Sequence, residues 1–251
     1  MKTQCKQCGD APTIEAHIIP KAVVRNIRNR GPDLKTIAVF NNRAVTARDQ
    51  NGVFDRDILC KDCDGKIGTS DKWFVENLEQ FHSSASGQPP YSTMQVMPKG
   101  CDALRFAVSV IYRASLSKLA QFRDISLGEY EAIAARISLG LEVSSSDEPI
   151  VLISVLSSGT SDMRQFVTYP IRCAQGNGRY FVFTASGVQF LIKFGGWRAG
   201  VGRDDIFTSC LRVRSETPLV VCCYPFIDSA EAQMFEQITN RRIRIPHLRD
   251  L

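Results

Sequence analysis

The sequence predicts an α+β protein in two parts, and three observations predict it. Two Cys-x-x-Cys pairs, Cys5/Cys8 and Cys60/Cys63, close off a small N-terminal module over residues 1–82. Residues 83–100 are rich in Ser, Gly and Pro and carry no clear apolar period, which reads as a linker. Over residues 101–251 helical apolar spacing gives way to strand-like runs separated by turn signals, the pattern of an α+β domain with a mostly antiparallel sheet.

The paired cysteines point to structural zinc. A Cys-x-x-Cys knuckle delivers two thiolates from one tight turn, and two knuckles complete the tetrahedron that zinc prefers. The 51 residues between Cys8 and Cys60 are a large insert, so a folded segment is expected inside the clip. Redox-active pairs, or chance spacing among nine cysteines, are the alternatives. Gly9 after the first knuckle and the lack of a thioredoxin-like strand and helix around either pair favour the metal. Met1-Lys2-Thr3-Gln4 shows no apolar signal region, and nine cysteines is an odd count, which suggests a reducing, cytoplasmic setting.

Bulk properties narrow the function classes. The longest apolar stretch, 219–227, falls far short of the roughly 20 residues a membrane helix needs, so no membrane role is expected. Net charge is only +5, compatible with nucleic-acid binding without establishing it. Its distribution says more. Residues 1–48 hold nine Lys/Arg against three Asp/Glu, whereas 49–82 hold four against eight. Cations to hold phosphates and carboxylates to hold a divalent ion would suit an enzyme acting on a polyanion.

Each element has its own signal. Residues 13–19 read as a short strand ending at Pro20, which opens a helix that Gly31 stops. Lys21, Arg25 and Arg28 fall at i, i+4 and i+7 on that helix as a basic stripe, a candidate nucleic-acid contact. Residues 34–59 alternate strand-like runs with Asn41-Asn42 and Asn51-Gly52, a hairpin leading back to Cys60. Ile67, Phe74, Leu78 and Phe81 put one apolar face on a helix over 64–81, where Asp64 and Asp71 share a side about 10 Å apart along the axis. After the linker, Leu104, Val108, Ile111, Ser115, Leu119 and Phe122 make a second amphipathic stripe, and a further helix is expected over 126–140. Strands are expected over 149–156, 165–173, 179–185, 188–194 and 219–224, with Gly176-Asn177-Gly178 as a hairpin turn. A last helix over 228–240 is signalled by Asp228 and Glu231 as a capping box.

The order Cys-x-x-Cys, then Ala16-His17-Ile18-Ile19-Pro20-Lys21, then Ile58-Leu59-Cys60-x-x-Cys63-Asp64 opening a helix resembles the zinc-clipped branch of the HNH, or ββα-metal, endonucleases. The likeness covers about the first 80 residues. It is similar in particular to an uncharacterised bacterial and phage-type group that pairs a His-Ile-Ile-Pro-Lys segment with a Leu-Cys-x-x-Cys-Asp/Glu segment, and the 106–117 helix and the Ser126-Leu127-Gly128 turn resemble that group's second part. The resemblance implies phosphodiester hydrolysis in nucleic acid, DNA before RNA, in a defence or mobile-element setting. It implies His17 as the general base, Asp64 as ligand to a catalytic Mg2+ or Mn2+, and Asp55 as the group that orients His17. Ala16 departs from the pattern, since the family carries a metal-binding Asp or His there. Asp57, Asp71 or Glu76 could supply the missing ligand. The alternative is an inactive zinc-held module that binds nucleic acid or protein.

Other features rank lower. Asp64-Gly65-Lys66-Ile67-Gly68-Thr69-Ser70 lacks the order of a phosphate loop. The Gly195–Arg203 run reads as a turn that could also close over a ligand. Cys101, Cys173, Cys210, Cys222 and Cys223 lack ligand spacing and read as core. His82 and His247 read as surface residues, and 241–247 as an edge strand or nucleic-acid contact.

Overall fold

The structure is a computed structural model describing residues 3–30, 38–40, 43–45, 52–97, 100–144, 146–157, 163–173, 179–195, 213 and 218–225. Strand β1 (Ala16–His17) leads through Pro20 into helix α1 (Lys21–Arg30). The insert holds a hairpin of β2 (Ala38–Phe40) and β3 (Arg43–Val45) in the register Ala38↔Val45, as the turn signal at Asn41-Asn42 implies. Strand β4 (Phe54–Asp55) then pairs antiparallel with β1, and helix α2 (Lys61–Ala85) follows directly after Cys60. Two short antiparallel strands feeding one long helix therefore frame the N-terminal module.

The second part is a mixed six-stranded sheet in the order β5-β10-β6-β9-β8-β7. Its strands are β5 (Thr93–Met97), β6 (Ile150–Ser157), β7 (Thr168–Cys173), β8 (Arg179–Ala185), β9 (Val188–Phe194) and β10 (Leu219–Pro225). Every neighbouring pair is antiparallel except β10 on β6. The β8–β9 turn is formed by Ser186 and Gly187, both at positive φ, the geometry that matches hairpin twist. A Cβ on Gly187 would lie 2.5 Å from the Met163 carbonyl oxygen, so only glycine fits there. Helices α3 (Cys101–Leu116) and α4 (Glu131–Ser138) precede β6. Among the described residues no helix is long and apolar enough to cross a membrane.

Residues 83–100 are not a linker. Helix α2 continues to Ala85, and β5 joins the sheet against β10, with Val96 and Met97 buried. Gln80 donates to the Val96 carbonyl at 2.6 Å, fixing the strand to the helix before it. The short run Thr93-Met94-Gln95-Val96-Met97 is bounded by Pro and Gly signals, which mask so brief a strand.

Helix α3 joins the two parts. It is buried on nearly all sides, so it behaves as a central helix rather than a one-faced surface one. Phe106 stacks on Phe74 of α2 at 4.1 Å and meets Phe190 of β9 at 5.3 Å, while Phe190 stacks on Phe183 of β8. Buried apolar residues form one continuous cluster from Cys5 through Phe74 and Phe106 to Val221. The helix expected over 228–240, the hairpin turn at 176–178, the loop beyond Gly195, Cys210, and the tail with His247 lie outside the described residues.

Candidate metal centre and adjoining cleft

The first knuckle is built by backbone bonds. Gly9 donates to the Cys5 carbonyl at 2.8 Å, at a φ of 77° that glycine adopts without strain, so the chain doubles back over Cys8. Lys6 donates its backbone N–H to the Ile58 carbonyl, and Ile14 donates to Leu59, which docks the knuckle beside the second pair. The sulfurs of Cys5, Cys8, Cys60 and Cys63 all lie within 4.8 Å of one another, and Cys8 Sγ stands 3.8 Å from Cys60 Sγ. A tetrahedral zinc with Zn–S bonds of about 2.3 Å places its sulfurs about 3.8 Å apart, so these four cysteines could hold a metal ion such as zinc.

The thiol electrostatics fit a cation. Burial works against the Cys5 thiolate, but the backbone N–H groups of Cys8, Cys60 and Gln7 outweigh it and bring the thiol down to about 7. Cys63 goes the other way: burial, and then the neighbouring thiols of Cys60, Cys5 and Cys8, push it well above the ordinary thiol value. Four sulfurs this close cannot all carry charge without a counter-ion.

Beside this centre opens a cleft of about 440 Å³, lined by β1, α1, α2 and α3. His17 at the end of β1, Lys21 at the start of α1, Asp64, Asp71, Lys72 and Glu76 along α2, and Arg113 from α3 all line it. The His17 ring packs 5.6 Å from Phe54, its cross-strand partner. His17 and Asp64, 47 positions apart in sequence, thus meet at one cleft because the β1–β4 pair sets the start of α2 next to the end of β1. Burial raises the Asp64 carboxyl above its ordinary value; Arg113 draws it back down and the Asp71 carboxylate adds to the rise.

Asp71 and Arg113 form a bidentate pair, Nη1 to Oδ2 at 2.6 Å and Nη2 to Oδ1 at 2.9 Å. Burial alone would depress the guanidinium, yet the adjacent carboxylate outweighs it and holds Arg113 above its ordinary value. Both Asp71 oxygens thus accept from Arg113, and Asp71 lines the cleft with its carboxylate held by the guanidinium. No family model, curated protein or solved structure matches the chain.

Not every expected site residue reaches the cleft. Asp55 sits opposite Ala16 in the β1–β4 register, and successive strand residues point to opposite faces, so it lies on the face away from His17. Its Oδ1 accepts the Asp57 backbone N–H at 2.9 Å and its Oδ2 accepts Ser117 Oγ at 2.6 Å. Asp55 thus braces the loop before the second knuckle against the end of α3 instead of orienting the histidine. Asp57 accepts Thr3 Oγ1 at 2.7 Å, also outside the cleft. On α1, Lys21 lines the cleft, Arg25 is exposed away from its lining, and the Arg28 side chain lies outside the described residues.

Two readings of single residues need correction. His82 is buried, with Nε2 2.8 Å from the Ser186 carbonyl oxygen, because α2 runs on past Phe81. Cys101 is exposed at the start of α3, whereas Cys222 and Cys223 are buried as expected. Arg113 escaped the sequence reading altogether. It is one of two arginines, with Arg105, in the apolar run of 103–116, and a charge in such a run elsewhere marks a solvent-facing position.

Proposed function

We propose that the chain is a zinc-held, HNH-like, metal-dependent endonuclease that hydrolyses phosphodiester bonds in nucleic acid. The observation that carries this reading is the meeting of His17 and Asp64 at one cleft, next to the four-cysteine cluster, on a strand, strand, helix frame. In this reading a His17 ring nitrogen takes the proton of the attacking water, a task suited to imidazole at neutral pH. Asp64 supplies a hard oxygen for Mg2+ or Mn2+, and its raised carboxyl is the kind of site that a cation relieves. The ion, when bound, stabilises charge at the departing oxygen. Lys21 offers the phosphate backbone a positive charge at the cleft, beside Lys72, whose ammonium lies 3.6 Å from the Glu76 carboxylate.

The test is cleavage of DNA and RNA by the zinc-loaded protein in Mg2+ and in Mn2+, beside His17→Ala and Asp64→Ala variants with unchanged zinc content. Cleavage that depends on the added ion and is lost in both variants is the expected result. Equal behaviour of all three proteins would defeat the nuclease reading. A specific observation favours the second reading, an inactive binding module: Ala16 gives no donor, and Asp55 and Asp71 are both committed to other partners. That module would bind nucleic acid without cutting it.

A further inference from the structure

The cleft contains a buried cation that the proton-transfer scheme leaves unused. Arg113 is 1% exposed, yet it lines the same cleft as His17 and Asp64. A guanidinium offers more N–H donors than a single carboxylate can accept. Asp71 takes Nη1 and Nη2, while Nε is buried and meets no acceptor among the described residues. Because Arg113 lines the cleft, a guanidinium with donors to spare points to an acceptor that arrives from outside. The bidentate grip also fixes the plane of the guanidinium before any ligand arrives, and planar, fixed forks suit phosphate.

Charge balance sharpens the point. Lys21, Lys72 and Arg113 face Asp64, Asp71 and Glu76, three cations against three carboxylates, so the cleft is close to neutral with His17 uncharged. A divalent ion held by Asp64 would turn it net positive and make it attractive to a phosphodiester. Resting on the reading of this cleft as a phosphodiester site, we infer that Arg113 receives a phosphate oxygen of the bound strand through the donors Asp71 leaves over. Asp71 is then a positioning residue that aims the guanidinium. Because Arg113 comes from α3, the nucleic-acid site is composite: the N-terminal module supplies His17 and Asp64, and the second part supplies the phosphate anchor.

The test measures binding, separately from cleavage, in full-length zinc-loaded protein carrying His17→Ala. Fluorescein-labelled single-stranded DNA, duplex DNA and RNA oligonucleotides are titrated in magnesium over a range of KCl. Adding Asp71→Asn with Arg113→Gln replaces both partners of the buried pair, so neither keeps its charge without the other. The expected result is a loss of about tenfold in affinity and a fall of about 1 in the slope of log affinity against log salt, the signature of one lost phosphate contact. Arg113→Lys should keep the slope, since the charge remains.

An unchanged slope in the double variant, a lost slope in the Lys variant, or no binding by the parent overturns the inference. If the double variant does not fold, Asp71→Asn alone decides: the guanidinium keeps its charge but loses its aim, so affinity should fall several-fold while the salt slope holds, and unchanged affinity or a slope lower by about 1 overturns the proposal. Cleavage by the unsubstituted chain with an unchanged slope in the variant defeats only the Arg113 role. A slope loss in a chain that never cleaves defeats only the nuclease reading.

Discussion

Tyr112 of α3 donates its phenolic hydrogen to Gln7 Oε1, inside the first cysteine knuckle. Burial, followed by the nearby Glu131 and the cluster thiols, pushes the phenol well above its ordinary value. One residue earlier in the knuckle, Lys6 donates Nζ to the Leu116 carbonyl at the end of the same helix. The metal centre and the helix that joins the two parts are therefore fastened within a single helical turn.

That fastening would make a zinc ion held by the four cysteines a matter of global stability. Chelation should lower the melting temperature of the whole chain in one cooperative transition, rather than melting residues 1–82 alone, because the core is continuous. Differential scanning calorimetry with and without a chelator checks this, with metal analysis expected to give one zinc per chain that Cys8→Ser and Cys63→Ser each reduce. Two separated transitions, the second unaffected by chelator, would refute it.

Asp55 is expected to act on stability and not on the histidine. Asp55→Ala removes the acceptor of Ser117 Oγ and of the Asp57 N–H and should cost about 1–3 kcal/mol in urea unfolding. The His17 titration followed by NMR should stay where it is in the parent, since the carboxylate lies on the other face of the strand pair. A moved His17 titration would return Asp55 to an orienting role.

How far the fold was legible follows from which signals are local. Helix α2, helix α3 and strands β6 to β10 were visible because each carries its own period of apolar residues. The cysteine cluster was visible because spacing alone fixes ligand geometry. Strand β5 was hidden by its length and its Pro-rich flanks, and it is paired by β10, more than 120 residues away. Asp55 was misread because its face depends on a register that no local signal gives. Arg113 was missed because burial of a charge depends on a partner 42 positions earlier. His82, by contrast, could have been found: it stands four residues after Leu78, on the buried stripe of α2.

The aromatic joint between the parts should be a stability hot spot. Phe106→Ala removes a side chain stacked on Phe74 and edge-on to Phe190 and Phe183, and should cost about 3–5 kcal/mol. Phe106→Leu should cost less because most of the volume remains. Chemical denaturation of both variants gives the comparison, and a loss near zero for Phe106→Ala would mean that the two parts do not share their core.

His82 should hold the β8–β9 turn. Its Nε2 lies 2.8 Å from the Ser186 carbonyl, and Ser186 Oγ in turn donates to the Arg164 carbonyl at 2.6 Å. A carbonyl oxygen only accepts, so the histidine must carry its proton on Nε2 for this contact to be a hydrogen bond. His82→Ala would leave the carbonyl without this donor and open space beside α2, at a cost of about 1–3 kcal/mol. Amide hydrogen exchange should quicken at residues 185–188 while the knuckles, on the far side of the core, keep their protection. Unchanged exchange at the turn would mean that Gly187, Ser186 and the Met163 backbone hold it without help from α2.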